Sequence, residues 1–372
     1  MNDIDRTRQL EELAAALTRT ARTAPAAPAA PAVAEAATGA AAAVDDASGH
    51  RAKVFAGTTA LFAADGTPLP SGSPDVTPIG PETLFDMASV TKIVTALTAL
   101  VLIDEGLLDP EAPLSEQLPS PHPGITARHL LTHTSGLPSV MPLWKIPGSR
   151  QQRIEAVFSA PLGSAPGTAH AYSCIGFILL GTLLEELTGT ALPELARRRV
   201  LGPAGASTAG WGVPEDRADR AAATEHQDDP PRGLVRGQTH DETAWSLGGA
   251  GNAGTFMTLD DALALGRVLC GRAPGVVLSP ATRELMLCEQ LPAGVSTGAA
   301  WTQGFGLRIG QETAPGAVLP RIVGHPGFTG TSVLADPLTG TVAALLTNRV
   351  HPHRDRFTVD RARQRIARIA FC

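Results

Sequence analysis

Lysine and tyrosine are scarce in this sequence. Among its 372 residues, 30 are lysine or arginine, yet the lysines are only Lys53, Lys92 and Lys145, and Tyr172 is the single tyrosine. A lysine or tyrosine that falls within a motif is therefore more informative here than in a chain of average composition.

Several patterns that would indicate other protein classes are missing. Four cysteines, Cys174, Cys270, Cys288 and Cys372, have neither metal-ligand nor redox spacing, and they do not indicate a disulfide scaffold in so long a chain. No stretch reaches the roughly 18 apolar residues of a membrane helix, and residues 1–20 contain no apolar core of signal-peptide length. A net charge of −6 favours neither nucleic acid nor an anionic membrane as partner. We therefore expect a cytoplasmic protein with no metal, cofactor, nucleic-acid or membrane partner; its oligomeric state is not indicated.

Composition divides the chain into three parts. Apolar residues spaced as on one helix face predict an amphipathic helix within residues 1–20. Residues 21–47 are almost all alanine, proline, threonine and glycine, which is typical of a linker with little to bury. The whole chain is 43% hydrophobic, and the remaining residues, 48–372, predict one folded domain.

The order of elements within 48–372 indicates the fold class. A strand at Val54–Ala63 with a turn at Asp65-Gly66 precedes a mostly helical block, and strands return before a closing helix. The predicted helices are Thr91–Glu105, Arg150–Ser159, Ile175–Leu187, Pro193–Val200, Leu259–Cys270, Pro280–Cys288 and Thr358–Ala370, and the late strands are Gly304–Gly310, Arg321–Gly324, Thr331–Ala335 and Gly340–Thr347. This order predicts an α+β fold, in which an antiparallel sheet lobe (48–88 and 280–372) holds an inserted helical lobe (89–279).

The pair Ser89 and Lys92 is the first candidate for chemistry. Residues three apart lie on one helix face, so the Ser89 hydroxyl and the Lys92 amine can meet. A serine becomes a nucleophile when a base takes its proton, and a lysine is such a base when it is neutral. An exposed serine and lysine in a first helical turn is the alternative, but the apolar run Ile93–Leu97 favours burial.

The segment Phe85–Lys92 resembles the active-site segment of serine hydrolases related to class C β-lactamases and DD-carboxypeptidases. The resemblance continues through Leu130–Leu137, Gly248–Gly251 and Gly324–Gly330, in the same order as in that superfamily. It implies the β-lactamase/transpeptidase-like fold, a sheet flanked by helices plus an all-helical lobe, with the active site between them.

The resemblance also implies the roles of further residues. Tyr172 stands where the superfamily has a proton-shuttling tyrosine, and His325 and Gly327 match its strand motif, in which a basic group holds the tyrosine and the charge of the substrate. The backbone N–H groups of Ser89 and Phe328 would form the oxyanion hole. A buried structural tyrosine and an edge-strand histidine are the alternatives for Tyr172 and His325.

Two more residues complete the predicted substrate site. Cys174 replaces the asparagine that the superfamily has two residues after its tyrosine, and a thiol is a weaker hydrogen-bonding group than an amide. This departure argues against penicillin hydrolysis and peptidoglycan cleavage, and Ser89 is favoured over Cys174 as nucleophile. We place Asn348, at the end of the last strand, in the acyl pocket. His129 and His133 lack the glutamate of zinc proteases, so we interpret them as buried or capping residues.

These residues predict acyl transfer through an ester on Ser89, with a small-molecule acyl donor. If water takes the acyl group, the protein is an esterase or amidase, the hypothesis that requires the fewest further assumptions. If an amine or alcohol takes it, the protein is an acyltransferase of natural-product biosynthesis, an ester-to-amide transacylase or a peptide-cyclising thioesterase. A non-catalytic ligand-binding protein of the same fold is the third hypothesis.

Overall fold

A computed structural model describes residues 3–18, 37–63, 67–70, 72–73, 75–118, 122, 124–355 and 358–372. The helices are α1 (Asp3–Thr18), α2 (Thr91–Asp104), α3 (Ala127–Leu131), α4 (Arg150–Phe158), α5 (Cys174–Thr188), α6 (Leu192–Ala196), α7 (Gly202–Ala204), α8 (Glu242–Ser246), α9 (Leu259–Leu269), α10 (Pro280–Leu287) and α11 (Asp360–Phe371). The strands are β1 (Gly39–Asp45), β2 (Arg51–Gly57), β3 (Phe85–Asp86), β4 (Gly210–Trp211), β5 (His226–Gln227), β6 (Gly233–Leu234), β7 (Thr255–Met257), β8 (Thr302–Gln303), β9 (Arg308–Ala314), β10 (Ala317–Pro326), β11 (Ser332–Asp336) and β12 (Thr341–Thr347).

Within the described residues, both ends of the chain build one seven-stranded sheet in the order β2-β1-β12-β11-β10-β9-β8. Every neighbouring pair is antiparallel, and Ala42 of β1 pairs with Leu345 on one side and Val54 on the other. The predicted α+β class is thus confirmed.

Strand β1 corrects the predicted linker. Residues 39–45 form a fully buried strand of the sheet, so the folded domain begins before residue 48. Alternate side chains of a strand face opposite sides of the sheet, and small alanines allow other elements to pack closely on both sides. Ala40 and Ala42 face α1 and α11, whereas Ala41 and Ala43 face the main core. Residues 21–36 of that predicted linker and the predicted Asp65-Gly66 turn lie outside the described residues.

The position of helix α9 places the boundary between the two lobes earlier in the chain than predicted. It packs on β1, β11 and β12, so this helix belongs to the sheet lobe although it precedes residue 279. Gly266 allows the close approach, because a Cβ built there would lie 2.2 Å from Cγ1 of Val342. The helical lobe therefore ends before α9.

Helix α2 lies at the centre of the helical lobe and carries the candidate site at its first turn. It packs against α5 and α6, and most of its residues, including Lys92, are buried. Among the helices of the described residues, none is long and apolar enough by itself to cross a membrane, and α5 meets that test only together with Leu192–Ala204 across a 79° bend.

Candidate active site

Ser89 and Lys92 meet at the start of α2. A 3₁₀ turn over Ala88–Val90 leads directly into the helix, and the Lys92 ammonium lies 3.1 Å from Ser89 Oγ. Lys92 Nζ also donates to the carbonyl of Asn252 at 2.9 Å and contacts Cys174 Sγ at 3.5 Å. An ammonium has three N–H donors, and these contacts give the buried Lys92 hydrogen-bond partners.

The charge of Lys92 differs from the expected neutral amine. Burial alone would lower the pKa of Lys92, but the neighbouring Cys174 and Tyr172 outweigh burial and raise it. This direction favours the charged form of Lys92 in the free protein. The Lys92–Tyr172 pair has to lose one proton before it can accept that of Ser89.

The backbone just before Ser89 is strained. Ala88 has a φ of 46°, a left-handed conformation that non-glycine residues rarely adopt and that is often found at functional sites. Asp86 holds this turn, because its Oδ1 accepts from the Ala88 N–H at 2.7 Å while its Oδ2 accepts from the His240 N–H at 2.6 Å. No sequence pattern marked this arrangement.

Tyr172 lies beside Lys92, where the resemblance places it. The Lys92 Nζ is 5.0 Å from the centre of its ring, and the His133 ring packs on it with centroids 4.6 Å apart. His133 Nδ1 accepts from the Ser173 N–H at 3.1 Å, and burial lowers the pKa of His133 well below its usual value. His133 is thus a neutral support for the tyrosine loop, and His129 caps α3 through Thr126, which confirms the buried and capping interpretation.

His325 faces the same tyrosine but carries no charge. Its ring centroid lies 5.8 Å from that of Tyr172, and its Nδ1 donates to the carbonyl of Pro326 at 2.7 Å. Burial lowers the pKa of His325 well below its usual value, and Arg308 and Lys92 lower it further. This corrects the expected basic group: His325 is neutral and presents Nε2, a buried acceptor with no partner among the described residues.

Arg308 supplies the positive charge that His325 lacks. Its guanidinium lies 5.7 Å from the Tyr172 ring centre and 4.4 Å from that of Trp301. Within the described part of the chain it forms no ion pair, and its Nε is buried without a partner. Together with His325 it lines a cavity of about 300 Å³. The sequence marked it only as one arginine in an apolar strand.

The loop 327–331 is fastened to the segment that precedes Ser89. Thr329 Oγ1 donates to the carbonyl of Asp86 at 2.7 Å, and Thr331 Oγ1 donates to that of Met87 at 3.1 Å. Gly327 is required at this contact, because a Cβ there would lie 2.5 Å from the Met87 carbonyl oxygen. The loop therefore brings the backbone of Phe328 beside the turn that carries Ser89.

Asn348 is not part of this cluster. Its Oδ1 accepts from the Gly39 N–H at 2.7 Å and its Nδ2 donates to the carbonyl of Thr59 at 3.3 Å, and the side chain is buried. Both ends of the amide are used to join β1 to the loop after β2. This corrects its predicted place in the acyl pocket.

Known proteins resemble this chain over most of its length. The sequence model of the Beta-lactamase family matches residues 15–368. An N-acetylmuramyl-L-alanine amidase of Bacillus subtilis (strain 168) is 30% identical over 309 residues, 72% of this chain and 68% of the relative. A putative D-alanyl-D-alanine carboxypeptidase of Escherichia coli (strain K12) is 28% identical over 303 residues, 72% of this chain and 70% of the relative. A penicillin binding protein from Bacillus halodurans superposes with a TM-score of 0.64 at 23% identity, covering 83% of this chain and 90% of that one.

Proposed function

Because this chain belongs to the beta-lactamase family, as its motifs predict, we propose that it is a serine hydrolase that forms an acyl-enzyme on Ser89 from a small-molecule ester or amide. The observation that carries the proposal is the contact of 3.1 Å between Ser89 Oγ and the fully buried ammonium of Lys92. A surface lysine would have no reason to be buried beside a serine, since burying an amine is costly unless its hydrogen bonds are made.

The proposed reaction uses the arrangement as follows. Once the Lys92–Tyr172 pair has lost one proton, it accepts the proton of Ser89, whose oxygen attacks the acyl carbon. The developing oxyanion is stabilised by the backbone N–H groups of Ser89 and Phe328. Tyr172 returns a proton to the leaving group, and water then releases the acyl group from Ser89.

Arg308 indicates the chemistry of the leaving group. A buried guanidinium without a carboxylate partner among the described residues is a strong site for an anion, and that of Arg308 lies 5.7 Å from the centre of the Tyr172 ring. We infer that the preferred substrates carry a carboxylate on the part that leaves. Cys174 beside Lys92 lacks the two donors of an amide, so it favours esters over substrates with an acylamido group.

Replacing Arg308 by methionine is expected to lower kcat/KM about 10- to 100-fold for an acyl thioester of thioglycolate, whose thiolate leaving group carries a carboxylate, because a charged hydrogen bond is lost. The thioester of methyl thioglycolate, which is neutral, should lose much less. Arg321→Met is the matched control, since Arg321 is half-exposed and pairs with Asp336. Equal losses for both thioesters would contradict a carboxylate site.

Intact-protein mass spectrometry during turnover of p-nitrophenyl esters tests the hydrolase. We expect a mass increase of one acyl group that localises to Ser89 and decays with release of the free acid. If added amines collect the acyl group instead and little acid forms, the protein is an acyltransferase. If no acyl adduct forms and no ester is consumed, the fold serves ligand binding and the hydrolase proposal is wrong.

A further inference from the structure

Three carbonyl groups of the loop 327–331, those of Gly327, Phe328 and Thr331, accept hydrogen bonds from arginine side chains near the end of the chain. Arg363 of α11 donates from Nη2 to the carbonyl of Gly327 at 2.5 Å and to that of Thr331 at 3.1 Å. Arg349 donates from Nε to the carbonyl of Phe328 at 2.8 Å. The loop is therefore held on one side by Asp86 and Met87 and on the other by two guanidinium groups.

Arg363 is mostly buried, and its guanidinium contacts the carbonyl groups of this loop. Its side chain is 18% exposed, and its only carboxylate contact among the described residues is Asp360, which is 71% exposed and lies 3.4 Å from Nη1. Burial lowers the pKa of Arg363 to about 10, so it stays protonated at neutral pH. A buried cation donating to a backbone carbonyl makes a charge-assisted hydrogen bond, stronger than a neutral one.

The carbonyl of Gly327 and the N–H of Phe328 belong to the same peptide group. A cation that binds the oxygen of a peptide draws electron density from its nitrogen, which makes the N–H a better donor; hydrogen bonds in series strengthen one another in this way. The same contact also fixes the plane of the peptide, so the direction of the Phe328 N–H is fixed too.

We propose that Arg363 is a positioning residue of the oxyanion hole: by binding the carbonyl of Gly327 it orients and polarises the Phe328 N–H that meets the oxyanion. The inference rests on the proposed acyl transfer at Ser89. It predicts that Arg363 acts on the transition state, where the oxyanion exists, and hardly on the bound substrate.

The test compares Arg363→Met, which removes the charge and the donors, with Arg363→Lys and with wild type. We expect Arg363→Met to lower the rate constant for labelling of Ser89 by a fluorophosphonate, and the affinity for phenylboronic acid, each about 10-fold. This is less than the loss of a whole oxyanion donor, because the Phe328 N–H is weakened and not removed. KM for a p-nitrophenyl ester should change less than about 2-fold, and Arg363→Lys should fall between wild type and Arg363→Met.

Arg365→Met is the control on the same helix, because Arg365 is partly exposed and pairs with Glu12; it should label like wild type. A rise in KM with unchanged kcat, or labelling of Arg363→Met at the wild-type rate, would overturn the role of Arg363 while leaving the hydrolase intact. Absence of labelling in wild type would instead refute the acyl-enzyme itself. If Arg363→Met does not fold, Arg363→Lys decides, and a labelling rate equal to wild type with unchanged boronate affinity counts against the proposal.

Discussion

Replacing Ser89 by alanine is expected to lower ester turnover about 10⁴- to 10⁶-fold, the range found when a serine enzyme loses its nucleophile. The reason is that the Ser89 oxygen is the atom on which the acyl group would be carried, and it lies 3.1 Å from Lys92 Nζ. The measurement is hydrolysis of p-nitrophenyl butyrate together with fluorophosphonate labelling, followed by peptide mass spectrometry.

The control for this prediction is Cys174→Ala. Cys174 also contacts Lys92, so a thiol nucleophile would shift the loss of labelling from Ser89→Ala to Cys174→Ala. Thermal unfolding of Ser89→Ala should lie close to wild type, because Ser89 is only half-buried and the change removes one hydrogen bond. Full labelling of Ser89→Ala would refute the acyl-enzyme.

The sequence predicts those parts of the fold in which the local pattern of apolar residues is distinctive. Helix α2 was predicted at Thr91–Glu105 and is observed at Thr91–Asp104, since a long apolar run after a polar turn leaves few alternatives. Strand β1 was missed because Gly39–Val44 contains no large apolar side chain and resembles the preceding alanine-rich stretch. Its burial depends on cover by α1 and by α9, and α9 lies more than 200 residues further along the chain, which no local pattern shows.

The residues of the candidate site also fall into two groups, those that the sequence predicts and those that it does not. Ser89, Lys92 and Tyr172 lie in motifs that resemble a known superfamily, and the structure brings them together. The charge of His325 could not be predicted, because burial decides it and burial is a property of the assembled fold. Arg308 and Arg363 lie outside every motif, and their importance becomes visible only through the Tyr172 ring and the loop 327–331 that they contact.

Replacing Lys92 by methionine is expected to lower kcat/KM about 10²- to 10⁴-fold, the usual contribution of a positioned general base. Methionine retains most of the buried volume but cannot take the proton of Ser89. Lys145→Met is the matched control, because Lys145 is exposed and pairs with Asp229 at the surface; its activity should equal that of wild type.

The pH dependence of Ser89 labelling identifies the base, because a fluorophosphonate does not itself titrate. The pKa of Lys92 is raised by Cys174 and Tyr172 against the effect of burial, so the proton-accepting form of the Lys92–Tyr172 pair is rare at pH 7 and grows as pH rises. Labelling of wild type should therefore accelerate from about pH 7 towards the ordinary lysine pKa of about 10.4 without levelling off before it. Lys92→Met should lower the labelling rate and should also remove its rise with pH. If wild-type labelling instead levels off below about pH 7, Lys92 is neutral in the free protein. In that case the expectation from the sequence, a neutral Lys92, is right, and the protonated Lys92 inferred from its surroundings is wrong.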